Sequence, residues 1–188
     1  SAHSGTVTVG GYIAASGSVG CGVLASDGST VTVDSGVTAE RQGVQAGYDS
    51  SVTVTGDVSV TNSANEGTAV IAMAGSSISV NGSVTGGACG AGAETGGVIT
   101  ITGGIASYYC GVNTATGAEV FVVGNIVADS MVGVGVNAYS TGEATVDGAI
   151  QAHKAMTFGE SDGVQVTPTT KEGYLTYSDG EDNPSFIW

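Results

Sequence analysis

The chain has 188 residues, 33 of them Gly, with three Lys+Arg against 17 Asp+Glu and a formal net charge of −14. That length fits one domain with a sizeable core, and so few basic residues exclude nucleic-acid or anionic-membrane surfaces, which need clustered Lys/Arg. Apolar residues at 41% exclude disorder as the reason for the glycine, and no apolar run approaches the ~18 residues of a membrane span.

An alternating Thr-Val-Thr-Val run at Thr6 to Val9 opens the chain, followed by Ile13, Ala15, a polar stretch from Ser16 to Gly20, and Val23 with Ala25. The same order returns in Thr30 to Val33, Val37, Ala39, Val44 and Ala46. It returns again in Ser51 to Val54, Val58, Val60, the polar loop Thr61 to Gly67, Val70 and Ala72. Ser77 to Val80, Val84, Gly86, Ala91 and Ala93 make the fourth pass, and Val98 to Ile101, Ile105, Ser107, Val112 and Thr114 the fifth. The sixth is Glu119 to Val122, Ile126, Ala128, the loop Asp129 to Gly133, Val136 and Ala138. Glu143 to Val146, Ile150, Ala152, Met156 and Phe158 make the seventh.

The pairs Val23/Val33, Val44/Val54, Val70/Val80, Ala91/Ile101, Val112/Val122, Val136/Val146 and Met156/Val166 are each ten residues apart, whereas the step to the next pair is not constant: 11 from Val33 to Val44, 14 from Val122 to Val136 and 16 from Val54 to Val70. A fixed connection alternating with a variable one marks a coiled solenoid whose loops differ in length. Period-two alternation turns Val7/Val9, Val31/Val33, Val52/Val54 and Ile78/Val80 inward and the Thr and Ser residues outward. The glycines that follow each first strand (Gly56, Gly82, Gly103, Gly124, Gly148) read as turn residues with special backbone angles. The expected fold is all-β: a right-handed parallel β-helix (β-solenoid) of about seven three-stranded coils of 21–26 residues, over 1–166, with a C-terminal capping segment over 167–188. The aromatic residues of that last segment, Tyr174, Tyr177, Phe186 and Trp188, suit a cap, with sugar stacking by Phe186 and Trp188 as the sharper alternative. The ending at Phe186-Ile187-Trp188 suggests a cut within a longer parent protein, whose neighbouring domains would be partners.

Cys21, Cys89 and Cys110 each stand two residues before a third-strand anchor, so period two turns their shared column inward. A disulfide, a metal site and a nucleophile are the functional options; small, buried, reduced thiols are the plainer expectation.

Ser-Val-Thr-Val-Thr-Gly-Asp-Val (Ser51 to Val58) and Ser-Ile-Ser-Val-Asn-Gly-Ser-Val (Ser77 to Val84) resemble the repetitive β-helix segments of bacterial surface proteins, adhesin-like and autotransporter-like, with a pectin-lyase-like fold. The resemblance covers nearly the whole chain. It implies a secreted or cell-surface protein, and it carries over no catalytic residue.

An enzyme on such a fold needs clustered chemistry: a basic residue and Ca²⁺-holding carboxylates for a lyase, two carboxyls for a glycoside hydrolase. Arg41, Lys154 and Lys171 fall in different coils. Glu119 and Glu143 are the carboxyl pair expected on one outward column, and they are also the only weak metal candidates. The Ca²⁺-binding nonapeptide, the phosphate loop and the Gly-x-Ser-x-Gly elbow do not occur, and no cofactor is expected. The outward Thr6/Thr8, Thr30/Thr32, Thr53 and Thr100 columns resemble the ice-binding face of some antifreeze proteins, interrupted at Glu119 and Phe121. The variable loops at Ser16 to Gly20, Thr61 to Gly67 and Asp129 to Gly133 must leave along one edge. Thr61, Asn62, Asn65 and Glu66 there offer hydroxyl, amide and carboxylate groups for a sugar. The expected function is a non-enzymatic extracellular surface display or adhesion module binding a glycan or a host surface protein. The alternatives are a carbohydrate-active enzyme and, third, an ice-binding protein.

Overall fold

A computed structural model describes residues 2–17, 20–62, 67–182 and 184–188. The described residues are strands, turns and bends without helix, wound into a β-solenoid of about seven turns. Each turn gives one strand to each of three sheets. First strands such as Thr30–Val33, Ser51–Val54 and Ser77–Val80 lie in a ten-stranded sheet. Second strands such as Val37–Ala39 and Val58–Val60 lie in a seven-stranded sheet, and third strands such as Cys89–Glu94 and Cys110–Ala115 in an eight-stranded sheet. Pairing between coils is parallel and in register: Val33 faces Val54, Val54 faces Val80, and the column continues through Ile101 and Val122 to Val146. β-branched side chains stacked at ~4.8 Å fill so narrow an interior well. Val33, Val37, Val44, Val54 and Val58 are fully buried, whereas their column mates at the two ends, Val9, Ile13, Ile150 and Met156, are partly buried.

The special backbone angles sit elsewhere than at the glycines after the first strands. Left-handed pairs join third strands to first strands: Asp27–Gly28, Ala74–Gly75, Thr95–Gly96 and Thr116–Gly117, with φ between 50° and 73°. Two coils make the turn without glycine, at Tyr48–Asp49 and Ser140–Thr141. Gly82 and its column mates are instead required by crowding between coils, since a Cβ on Gly82 would lie 2.6 Å from Asp57 Oδ1 and 2.7 Å from the Gly56 backbone. Buried Ser29, Ser50 and Ser76 follow the left-handed turns, and Ser50 and Ser76 donate their hydroxyls to the Gly47 and Met73 carbonyls at 2.8 and 2.6 Å.

The cysteine column faces outward, contrary to the alternation reading. The cause is the residue before each anchor. A Cβ on Gly22, Gly43, Gly90, Gly111 or Gly135 would run into the inward side chain of Val37, Val58, Ile105, Ile126 or Ile150. These glycines are therefore turned inward beside anchors that are themselves inward and buried, as Gly90 is beside Ala91. Two successive inward residues reverse the phase at the start of the strand, as in a bulge. Cys89 pairs with Cys110, and the ladder resumes only at Ala91 and Val112.

The two ends differ. The first coil is open, with Val7 38% exposed. At the other end Met156 keeps register with Val136, a coil of 20 residues, but Val166 does not complete the seventh pair. Val164–Val166 runs antiparallel to Thr176–Ser178, which runs antiparallel to Phe186–Ile187. Phe186–Ile187 itself lies parallel on Glu143–Val146, taking the place of an eighth first strand. The detour begins where Phe158 and Ser161 exchange two backbone hydrogen bonds, at 2.8 and 3.1 Å, and close a tight turn. Ile187 is buried on the last coil.

Candidate functional site

A concavity of about 820 Å³ runs along the outer face of the eight-stranded sheet, within the range of ligand sites. Its floor is set by the residue after each third-strand anchor: Ile71, Gly92, Asn113, Asn137 and Thr157 stand in register on consecutive coils. Asn137 Nδ2 donates to Asn113 Oδ1 at 2.9 Å, while Asn137 Oδ1 accepts from Thr157 Oγ1 at 2.9 Å and from the Gly159 amide at 3.0 Å. The amides are thereby locked into one orientation. On its other side Asn113 stands in register with Gly92 of the preceding coil. No side chain stands there, and the nearest atom to a Cβ on Gly92 would be Thr68 Cγ2 at 3.5 Å. Tyr109 and Val132 form one side, Val132 belonging to the loop Asp129 to Gly133; Glu94, Lys154 and Glu160 supply charge at the margins. Lys154 is held by Asp162 at 3.2 Å.

Cys89 and Cys110 line the same groove. Both are free and half-buried, and their thiols donate to the carbonyls two residues on, Ala91 and Val112, at 3.6 and 3.2 Å. Contact with the Cys110 thiol, reinforced by burial, holds the Cys89 thiol well above its usual pKa. Cys21 is also raised, chiefly by burial.

The loops leave along one edge, between the second and third strands, as the variable spacing requires. Thr61 and Asn62 border a separate open depression of about 580 Å³ with Ser16, Thr38 and Glu40. Glu40 Oε2 accepts from the Gly17 amide at 2.6 Å, and the Glu40 carbonyl accepts from the Asn62 amide at 3.0 Å. Asn65 and Glu66 lie outside the described residues. Thr61 and Asn62 are thus brought together with Glu40, which the sequence reading did not single out.

Glu119 and Glu143 face each other in register on the ten-stranded sheet. Lys171, distant in sequence, joins them: it lines the same small cleft and donates to Thr145 Oγ1 at 2.7 Å. Its Nζ lies 5.0 Å from the Trp188 ring centre and 5.2 Å from that of Tyr174. Burial first, then the Glu119 charge, raises the Glu143 pKa, and Lys171 partly offsets this. The basic residue and the carboxyl pair that the sequence placed apart are therefore neighbours, because the cap folds back over the last coil. Phe186 and Trp188 stack at 5.3 Å, and Trp188 Nε1 donates to Thr170 Oγ1 at 3.0 Å, so both aromatic rings serve the cap. Among the described residues no group of three or more His, Cys, Asp or Glu is placed to hold a metal ion. The Thr columns lie in register on the outer face of the same sheet, and Val98 continues the column of Thr6 and Thr30.

The groove residues Gly92, Asn113, Asn137 and Thr157 were missed although their signal was present: each directly follows an anchor. No family model, curated protein or solved structure matches the chain.

Proposed function

We propose that the chain is a non-enzymatic binding and display module of an extracellular, bacterial cell-surface protein, and that its ligand is a neutral glycan laid along the groove of the eight-stranded sheet. The observation that carries this reading is the hydrogen-bonded amide row, in which Asn113 stands in register beside the open slot over Gly92. Sugar hydroxyls both donate and accept, and preorganised amides with an aromatic flank such as Tyr109 suit them without a charge partner. The groups along the floor hydrogen-bond one another, an arrangement that favours holding a ligand over moving a proton. The acidic composition disfavours polyanionic glycans.

A glycan array followed by titration tests the reading. Asn113→Ala is expected to weaken binding about 3–10-fold, the worth of one hydrogen bond of ~0.5–1.5 kcal/mol. Gly92→Leu, which fills the slot, should abolish it, whereas shortening the Thr61 to Gly67 loop should leave it intact. Binding lost only with the loop would move the site to the depression beside Glu40.

One arrangement favours a second reading, a carbohydrate-active enzyme: the in-register Glu119 and Glu143 beside Lys171 and Trp188. In-register carboxylates at a strand spacing of ~4.8 Å come near the ~5 Å separation of a retaining glycosidase pair, and a raised Glu143 would hold the proton for the leaving group. Depolymerisation of a glycan that disappears in Glu143→Gln would establish this reading in place of the first.

A further inference from the structure

We propose that Cys89 and Cys110 together form a two-coordinate site for a soft monovalent d¹⁰ cation, Cu(I), on the groove of the eight-stranded sheet. The site rests on the outward turn of the cysteine column and is independent of any glycan. Inward-turned Gly90 and Gly111 place both thiols on the outer face, in register on adjacent coils and lining an open groove. The hydrogen bonds to the Ala91 and Val112 carbonyls give the two side chains the same rotamer, so the sulfurs stand side by side.

The spacing selects the chemistry. In-register parallel strands hold equivalent atoms ~4.8 Å apart. A disulfide needs Cβ atoms near ~3.8 Å and sulfurs at ~2.05 Å, which would draw the two coils together. A metal held between the two sulfurs, at most the ~2.3 Å of a zinc–thiolate bond from each, spans about 4.6 Å or less when the S–M–S angle opens toward linear, which is much nearer the strand spacing than the approach a disulfide needs. Zn²⁺ asks for four ligands, and among the described residues no third His, Cys, Asp or Glu joins the pair. Soft thiolates with low coordination number favour Cu(I). On binding, two S–H bonds break, two S–Cu bonds form and two protons leave to solvent, with no change in the oxidation state of sulfur or copper. Lys154 stands in the same column two coils above Cys110, but its Nζ is already engaged by Asp162 at 3.2 Å, so the pair of thiols is left as the whole donor set.

Ag(I), a redox-inert probe of the same class, tests the site on the whole chain. Native mass spectrometry of the reduced protein is expected to show one tightly held Ag(I) in the wild type and in Cys21→Ser. Cys89→Ser and Cys110→Ser should each weaken it at least 100-fold. In the unmutated protein, one equivalent of Ag(I) should protect Cys89 and Cys110 from iodoacetamide while Cys21 is alkylated at an unchanged rate, and about two protons should be released per Ag(I). Retention of tight Ag(I) in Cys89→Ser, loss of it in Cys21→Ser, or equal protection of all three thiols would overturn the proposal.

Discussion

Gly90 and Gly92 flank the buried anchor Ala91, so strict alternation puts both on one face and expects the same response to added bulk. The solenoid separates them. A Cβ on Gly90 would collide with Ile105 Cγ2 and come within 2.8 Å of the Gly111 carbonyl, whereas on Gly92 it would meet only Thr68 Cγ2 at 3.5 Å. Neither glycine has a positive φ, so steric space decides. Gly90→Ala overpacks a closed interior against backbone that continues into the next coil, at a cost of about 1–3 kcal/mol. In a chain of this length that corresponds to a fall in Tm of about 2–12 °C. Gly92→Ala removes backbone freedom from the unfolded chain without a clash and should gain about 0.5–1 kcal/mol, a rise of up to about 4 °C. Thermal melts followed by circular dichroism compare the two variants directly. Shifts of the same sign and size would refute the inward turn of Gly90, and with it the outward placement of the cysteines.

Val54 lies fully buried between Val33 and Val80, so Val54→Asp should abolish folding through an unpaired buried charge costing more than about 4 kcal/mol, while Thr53→Asp on the outward face of the same strand should fold; equal expression of soluble, cooperative protein by both would contradict the ladder. Glu143 has a folded pKa raised above its usual 4.5, so the folded state binds the extra proton and stability is lost as pH rises from about 4.5 through the folded pKa. Melts of Glu143→Gln against wild type should therefore show the variant gaining relative stability across that window, the difference flattening below it and above the folded pKa; a pH-independent difference would remove Glu143 as the titrating group. Ile187→Asp should undock Phe186–Ile187 from Glu143–Val146 and expose a strand edge, lowering Tm and producing concentration-dependent association in light scattering; a monomer with wild-type Tm would mean the cap is not seated there.

The coil was legible because its signal is redundant: the Val33-to-Val146 column repeats the same side-chain choice in every turn, and one misread residue changes nothing. The third strands lack that protection. Their phase depends on one small residue before the anchor, a glycine in five of the seven coils (Gly22, Gly43, Gly90, Gly111 and Gly135), and a residue without a side chain leaves no trace in a hydrophobic alternation. Cys21, Cys89 and Cys110 were therefore placed on the correct column and the wrong face. The break in pattern after the seventh coil was legible, but not the path the chain then takes. Nothing local tells that Phe186 and Ile187 return to pair with Glu143 and Ala144, more than forty positions away in the chain. The same return brings Lys171 beside Glu143, so this cluster of opposite charges comes from a long-range contact that no spacing rule contains.

The groove and the dithiol share a sheet face but not their determinants, and this separates their failures. The glycan binding we propose rests on side chains that follow the anchors, Asn113 above all, and on the slot over Gly92. Metal binding depends on side chains that precede the inward glycines. Substituting Cys89 or Cys110 by Ser leaves the amide row untouched, because Asn113 and Asn137 are fixed by each other, by Thr157 and by the Gly159 amide. Conversely, Asn113→Ala removes no sulfur. A variant that lost both activities would point to the common element, the inward turn at Gly90 and Gly111, and not to either ligand. Within a solenoid whose interior is almost invariant, the outward columns on either side of that turn are where one coil can differ from the next at little cost to the core. That freedom is why the eight-stranded sheet, more than the loops, is the surface on which recognition can be written.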